Sequence, residues 1–173
     1  WFSGVIYYSA RWVEIITTGW IVLELTGSPF LVGLSGFFRV LPMLILGSFF
    51  GAIADRFRRV DMLIGIHAAG LLAALSLMSA FMLGIESIWI MFPIIACIGC
   101  GSAADFSARS NLISEIQERP LLAKSMSLES LSMNGAKITA ALGAGVLLSV
   151  GGATLGYACL AILYGCGLAW LLA

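Results

Sequence analysis

The chain has 173 residues, of which 61% are hydrophobic and only 10% charged, and its formal net charge is zero. A soluble domain needs about 25% charged residues to cover its surface, so the composition excludes an ordinary water-soluble globule and predicts lipid as the surrounding solvent. The basic residues form no patch that would bind nucleic acid. Trp1 is not a natural start, so we expect a fragment, and the four Cys lie in apolar runs that predict no disulfide framework.

Six apolar stretches are long enough to cross a bilayer as helices, which takes roughly 20 residues each. They lie at about residues 2–24, 30–53, 61–83, 87–107, 122–149 and 153–173. Residues 26–29 form a turn sequence, Asp61 is suited to cap the third helix, and Pro120 suits the first turn of the fifth. The sequence therefore predicts an all-α membrane protein in which residues 1–173 form one bundle of six transmembrane helices.

Basic residues are confined to two of the five connections between these stretches. The second–third and fourth–fifth connections hold Arg56, Arg58, Arg59, Arg109, Arg119 and Lys124. The other three connections contain no Lys or Arg. Since basic connections stay on the cytoplasmic side, we expect a multi-pass protein of the cell (inner) membrane with both ends of this segment in the cytoplasm.

Polar side chains inside the membrane outline a candidate path for a substrate or a proton, because an ionisable group in hydrocarbon costs at least about 2.5–3.5 kcal/mol. The first helix carries a polar stripe at helical spacing, the second carries an arginine, and the fifth carries a polar face. The members of the predicted path are Tyr7, Tyr8, Arg11, Glu14, Arg39, Glu129, Asn134 and Lys137. We expect the three helices to share one water-filled cavity.

Glu14 is the predicted proton carrier, because hydrocarbon disfavours the charged form of a carboxyl group. The alternative is a static pair between Arg11 and Glu14, which lie three residues apart and neutralise each other. The ionisable residues deep within the predicted spans are Arg11, Arg39 and Lys137 against Glu14 and Glu129. One positive charge is left over, which favours an anionic small-molecule substrate. Tyr8 and Trp12 are also suited to stack on an aromatic substrate.

A charged segment between the second and third stretches carries a family resemblance. Gly51, Asp55, Arg56 and Arg59 match the signature G-x-x-x-D-R-x-G-R-R, which lies between helices 2 and 3 in the major facilitator superfamily. Arg58 stands where that family prefers Gly. Residues 25–34 and 107–115 resemble the subgroup that contains the enterobactin exporter and macrolide efflux proteins, although Ser replaces both prolines of its P-A-R…P-E segment.

The resemblance covers essentially the whole chain and implies the N-terminal half of a twelve-helix transporter. Its six helices would form two inverted three-helix repeats and would export siderophore- or drug-like molecules by alternating access. The partners it implies are a small-molecule substrate, the lipid bilayer and the C-terminal six-helix half of the same transporter. It implies no cofactor, no metal and no enzymatic activity. Ala140-Ala141 stands where many drug/proton antiporters have Gly-Pro.

The same resemblance predicts a conformational latch on the cytoplasmic side. Its residues would be Gly51, Asp55, Arg56, Arg59, Asp105 and Arg109. Asp105 and Arg109 are four residues apart, so they can pair on one helix face. The alternative is a loop whose arginines only set the topology.

Two rival functions compete with transport. One is an interaction module that dimerises through faces of small residues. The other is an intramembrane protease, which needs a Gly-x-Ser-Gly nucleophile and a later His, whereas Ser102 lacks that pattern and His67 precedes it. We expect His67 to be a packed residue near the interface, and Cys97 and Cys100 to be small apolar residues rather than metal ligands.

Overall fold

The computed structural model describes residues 2–54, 58–116 and 119–173, and the side chains in these ranges except 46–54, 59, 106–107, 109–116 and 119–123. Across these ranges the chain forms five helices and no strand. The helices are α1 (Phe2–Thr26), α2 (Pro29–Ala54), α3 (Arg59–Met82), α4 (Ile88–Ile116) and α5 (Arg119–Leu172). The all-α prediction is confirmed for the described part of the chain.

A pair of glycines interrupts α5. Gly151 has φ −141° and ψ 15°, and Gly152 has φ 59° and ψ −150°, neither of which is helical. The positive φ of Gly152 is a conformation that residues with a Cβ rarely adopt. The helix therefore consists of two parts, α5a (119–150) and α5b (153–172), which meet where the sequence predicts a break.

Three pairs of helical segments run in opposite directions, as contacts between named residues and the short connections after α1 and α3 indicate. The contacts are Glu14–Arg39 for α1 and α2, Ile66–Gly101 for α3 and α4, and Thr17–Gly156 and Tyr7–Tyr164 for α1 and α5b. At the start of α1, Phe2 stacks on Trp170 of α5b with the ring centroids 5.2 Å apart. Both ends of the described chain therefore lie at the same end of the bundle.

The helices pack in a pattern that pairs α1 with α5, α2 with α4, and α3 with both α4 and α5. Small residues allow the closest approaches, as expected where packing rather than hydrophobic drive joins helices. A Cβ on Gly99 of α4 would overlap the backbone carbonyl of Arg39 in α2. Similar overlaps would occur between Gly70 and the Tyr164 ring, and between Gly167 and the His67 ring.

By length and apolar composition, three helical stretches of the described residues can cross a membrane. They are Val60–Met82, Ile88–Asp105 and Lys124–Leu172, and the last of them contains the break in α5. The described side chains of α2 cover only Pro29–Ile45, which is apolar, and α1 is not among the three. The polar stripe on α1 accounts for this, so six transmembrane spans remain a prediction.

Three details at helix ends differ from the sequence-based expectation. Helix α4 extends to Ile116 rather than to about residue 107, and α5 begins at Arg119 rather than near residue 122. The expectation that Asp61 caps α3 is wrong, because the N-cap residue is Arg58 and no side chain makes a capping hydrogen bond. Asp61 lies in the first turn instead, with its carboxylate 4.0 Å from Arg58 Nε.

Candidate substrate and proton path

A buried ion pair joins α1 to α2. Glu14 is 1% exposed, and its Oε1 atom pairs with Nη2 of Arg39, whose side chain is 10% exposed. Thr18, one turn further along α1, donates a hydrogen bond from Oγ1 to the same carboxylate oxygen at 3.1 Å. The charge of Glu14 is therefore balanced by a partner on a neighbouring helix.

The pairing follows from the depth of the two residues in antiparallel helices. Glu14 lies 12 residues before the end of α1 at Thr26, or about 18 Å of rise. Arg39 lies 10 residues after the start of α2 at Pro29, or about 15 Å. Because the connection between the helices is short, the two side chains reach the same level near the middle of the bundle.

The alternative of a static pair between Arg11 and Glu14 is wrong for this structure, because the carboxylate of Glu14 binds Arg39. Arg11 lies half-buried on α1. Of the residues on the polar face of α1, Tyr7, Glu14 and Thr18 are at most 2% exposed. Arg11 is thus placed near the path without taking the partner that local spacing suggested.

Several buried polar atoms around this ion pair have no hydrogen-bond partner among the described residues. They are Oε2 of Glu14, Nε of Arg39, Oγ1 of Thr17 and the hydroxyl of Tyr157. Thr17 and Tyr157 are both 0% exposed. An unsatisfied buried polar group costs about 1–3 kcal/mol, so several of them together require an explanation such as a water molecule, a proton or a ligand.

Tyr157 lies on α5b and completes this cluster from a third helix. The Thr18 hydroxyl and the charges of Glu14 and Arg39 interact electrostatically with its hydroxyl. No hydrogen bond of good geometry joins Tyr157 to them. The adjacent residue, Gly156, brings α5b against the Thr17 side chain so closely that a Cβ would collide with it.

A second group of contacts joins α1 to α5a. The hydroxyl of Tyr8 donates to Oε1 of Glu129 at 2.7 Å. The Nζ atom of Lys137 lies 4.7 Å from the centroid of the Trp12 ring, which is within range of a cation–π interaction. The structure thus brings the predicted residues of the first and fifth helices together in pairs.

Asn134 does not join this group in the described structure. It is exposed, and its Nδ2 donates to the Ser130 carbonyl of its own helix at 2.8 Å. Its neighbours on this face of α5a are also exposed. The expected single cavity shared by three helices is therefore seen as two groups of contacts, one buried and one at the surface of the bundle.

A third polar group lies between α1, α3, α4 and α5b. Tyr7 donates to Oγ of Ser102 at 3.5 Å, and its ring lies 5.5 Å from that of His67. His67 is 0% exposed and its Nδ1 is 2.8 Å from the Leu63 carbonyl oxygen, so it is packed as expected, and its position near the membrane interface stays a prediction. A cavity of about 40 Å³ lies beside Tyr7 and Tyr164.

The predicted latch falls largely outside the described residues. Asp55 and Arg56 lie in an undescribed part of the chain, and Gly51, Arg59 and Arg109 belong to helical segments whose side chains are not described. Asp105 is described, lies on α4 and is 1% exposed. The latch therefore stays a prediction. In the described part of the chain, no three His, Cys, Asp or Glu side chains come together as a metal site.

Sequence reasoning missed two members of the buried cluster. Thr17 follows Glu14 by three residues, so the spacing rule that gave the stripe would also have found it. Tyr157 has a weaker signal, namely its position after Gly156 in a pattern of small residues. Its role depends on how α5b turns back along α1, which no local pattern encodes.

Comparison with known proteins gives one match. A family model described as transmembrane secretion effector matches residues 1–173. No curated protein and no solved structure matches the chain.

Proposed function

We propose that this chain, which belongs to the transmembrane secretion effector family, is the N-terminal half of a secondary active exporter. The family and the apolar helices make it a membrane protein of the major facilitator kind. The finer proposal is that it exports siderophore- or drug-like small molecules by alternating access, together with a C-terminal six-helix half of the same transporter.

The packing pattern supports an arrangement of two inverted three-helix repeats. In an inverted repeat, the predicted helices 1, 2 and 3 correspond to the predicted helices 4, 5 and 6, where helix 5 is α5a and helix 6 is α5b. The pair formed by helices 1 and 5 then corresponds to the pair formed by helices 4 and 2. Among the described residues, α2 packs along α4, and α1 contacts α5a through Tyr8 with Glu129 and Trp12 with Lys137. This agreement is what an inverted repeat produces.

Charge supports a cytoplasmic position for both ends of this segment. The end of α2 lies at the same end of the bundle as the start of α1, and Arg58 precedes the next helix, α3. Six alternating spans would bring the end of α4 at Ile116 and the start of α5 at Arg119 to this end as well. The positive-inside rule places such a basic end in the cytoplasm.

The observation that carries the proposed mechanism is the buried ion pair between Glu14 and Arg39. In the proposed cycle, ionised Glu14 holds Arg39 and so ties α1 to α2. Protonation of Glu14 removes the negative charge and releases Arg39, which changes the relative stability of the two access states. A proton moving down its gradient then drives export of a substrate, which we place against Tyr8, Trp12 and Lys137.

A transport assay with the complete transporter in inside-out vesicles tests this proposal. We expect Glu14→Gln to lose export driven by a proton gradient, while exchange of labelled for unlabelled substrate at equal pH continues. Glu24→Gln is the matched control, since Glu24 lies on the same helix but is exposed. Normal proton-driven export by Glu14→Gln would contradict the coupling role.

A further inference from the structure

We propose that Glu14, Thr17 and Tyr157 form a buried site for a water molecule that delivers the proton to Glu14, with Tyr157 as the residue that positions this water. The inference rests on the proposed coupling role of Glu14 and deepens it. It assigns a function to Tyr157 and Thr17, which the ion pair alone leaves unexplained.

Three buried oxygen atoms of this site lack a partner in the described part of the chain. Oε2 of Glu14, Oγ1 of Thr17 and the hydroxyl of Tyr157 each lack a hydrogen-bond partner among the described residues. The exposed fractions of these residues are 1%, 0% and 0%. A buried water typically makes about three hydrogen bonds to such groups, so three orphaned oxygen atoms on packed stretches of α1 and α5b match its requirement.

Helices α1 and α5b bring these three side chains together. Thr17 and Glu14 are three residues apart on the buried face of α1. Tyr157 faces them from α5b, beside Gly156, whose missing side chain permits the close approach to Thr17. The hydroxyl of Tyr157 interacts electrostatically with the ion pair, so it lies within its field.

The site suits a water molecule better than a metal cation. The guanidinium of Arg39 already occupies one oxygen of Glu14, and a second cation at the other oxygen would be repelled. Water has no such penalty, because it donates to the carboxylate and to one hydroxyl while it accepts from another. The chemistry of the site therefore favours water.

A hydronium ion on the aqueous side supplies the proton. The bound water accepts this proton as one of its own O–H bonds breaks and a new O–H bond forms at Oε2 of Glu14, so the bound water stays neutral and the hydronium ion becomes water. Tyr157 keeps its own proton throughout, because its hydroxyl only holds the water in line with the carboxylate.

The test compares Tyr157→Phe with Tyr164→Phe in the complete transporter. Tyr164 is the matched control, since it lies two turns further along α5b and is 2% exposed. We expect Tyr157→Phe to lower the initial rate of proton-driven export about tenfold, the factor that loss of one hydrogen bond corresponds to. Its substrate exchange at equal pH should stay within about twofold, and Tyr164→Phe should leave both rates unchanged.

The outcomes separate this inference from the proposed function. If Glu14→Gln loses proton-driven export but Tyr157→Phe and Thr17→Val both keep it, the water site is wrong and the coupling role stands. If Glu14→Gln exports normally, the coupling role itself fails. Export by the unaltered transporter under a sodium gradient alone would favour a metal cation and would also overturn the water site.

A measurement on the unaltered protein keeps the inference testable if Tyr157→Phe does not fold. Infrared difference spectra between protonated and deprotonated states should show a carboxyl band from Glu14 and an O–H band from the bound water. The water band should shift when the sample is prepared in water labelled with heavy oxygen. A carboxyl band without any shifting water band would overturn the proposal.

Discussion

Polar residues at helical spacing have different fates on α1 and on α5a. On α1 the stripe is buried, and Glu14 is bound by Arg39 from another helix. On α5a the polar face is exposed and satisfies itself, as Ser130 donates to the Met126 carbonyl and Asn134 to the Ser130 carbonyl. The spacing pattern is the same, but the burial of the polar side chains differs.

The comparison shows which polar groups are fixed by the bundle and which are free to find other partners. Moving Glu14 from Arg39 would leave a buried charge unpaired. Breaking the hydrogen bond from Asn134 to the Ser130 carbonyl would leave no unpaired charge. The side-chain amide of Asn134 could then donate to a molecule or helix that covers α5a. In the proposed transporter, the C-terminal half and the substrate would cover this face.

The largest predicted effect concerns the buried ion pair. Arg39→Ala leaves the carboxylate of Glu14 buried and unpaired, so we expect a loss of about 3–5 kcal/mol of stability. Lys137→Ala removes an exposed cation on α5a and should lower stability by much less than this. Denaturant unfolding of the purified protein in detergent measures both.

A double variant separates charge from packing in that result. Arg39→Ala combined with Glu14→Gln removes both charges, so it should recover most of the lost stability. If the double variant is as unstable as Arg39→Ala alone, the loss comes from the space left by the side chain. If Lys137→Ala is as destabilising as Arg39→Ala, the distinction between the two regions fails.

The second prediction uses glycines of the two regions. Gly99 lies where α4 touches the Arg39 backbone, and a Cβ there would overlap a carbonyl group that cannot rotate away. We expect Gly99→Ala to cost about 1–3 kcal/mol, as overpacking does. Gly143 on α5a has no atom within 4 Å of a Cβ position, so Gly143→Ala should be neutral or stabilising by up to about 1 kcal/mol.

Thermal unfolding of the two glycine variants in the same detergent provides this measurement. A lower unfolding temperature for Gly143→Ala would show that α5a is packed against a partner, such as a second copy of the chain. An unchanged temperature for Gly99→Ala would show that α2 and α4 separate without loss. Either result would remove the difference in packing that the comparison describes.

The helical character of the described residues was predictable from the sequence, because long apolar runs and turn residues are local signals. The break at Gly151–Gly152 and the buried stripe on α1 were predicted in this way. The end of α4 was misplaced because Ser107 and the charged residues after it suggest a loop, whereas the helix continues to Ile116. The cap on α3 was misplaced because Asp61 has good capping chemistry but lies too far into the helix.

The candidate site was less predictable, because its contacts join helices distant in sequence. The spacing of Arg11 and Glu14 suggested a local pair, but the depth of Arg39 in α2 decided the partner. Tyr157 belongs to the site only because α5b runs back along α1. Such facts depend on the register between helices, which composition and periodicity along one helix do not contain.

The third prediction concerns the contact between the two regions. Tyr8→Phe removes the hydrogen bond to Glu129, and we expect a loss of about 1 kcal/mol, since this carboxylate is only half-buried. Glu129→Gln keeps an acceptor oxygen at the same place and should cost less. If Tyr8→Phe is silent in denaturant unfolding, the hydrogen bond does not hold α5a against α1.

The smallest predicted effect belongs to the cation–π contact of Lys137 with Trp12. Lys137→Met keeps most of the side-chain length but removes the charge, so we expect a loss of about 0.5 kcal/mol at this exposed position. Lys137→Arg should keep the interaction. In a variant that already carries Trp12→Leu, adding Lys137→Met should cause no further loss of stability from this contact. Denaturant unfolding measures the four proteins of this cycle.

The same cycle measured by transport sharpens the comparison most, because stability and function then give different answers. If α5a faces the substrate, Lys137→Met changes the concentration of substrate at half-maximal export more than it changes the stability, and Lys137→Arg restores it. An exposed cation with no substrate role would move neither quantity. A small effect on stability with a large effect on transport is what a polar face left free by its own bundle should produce.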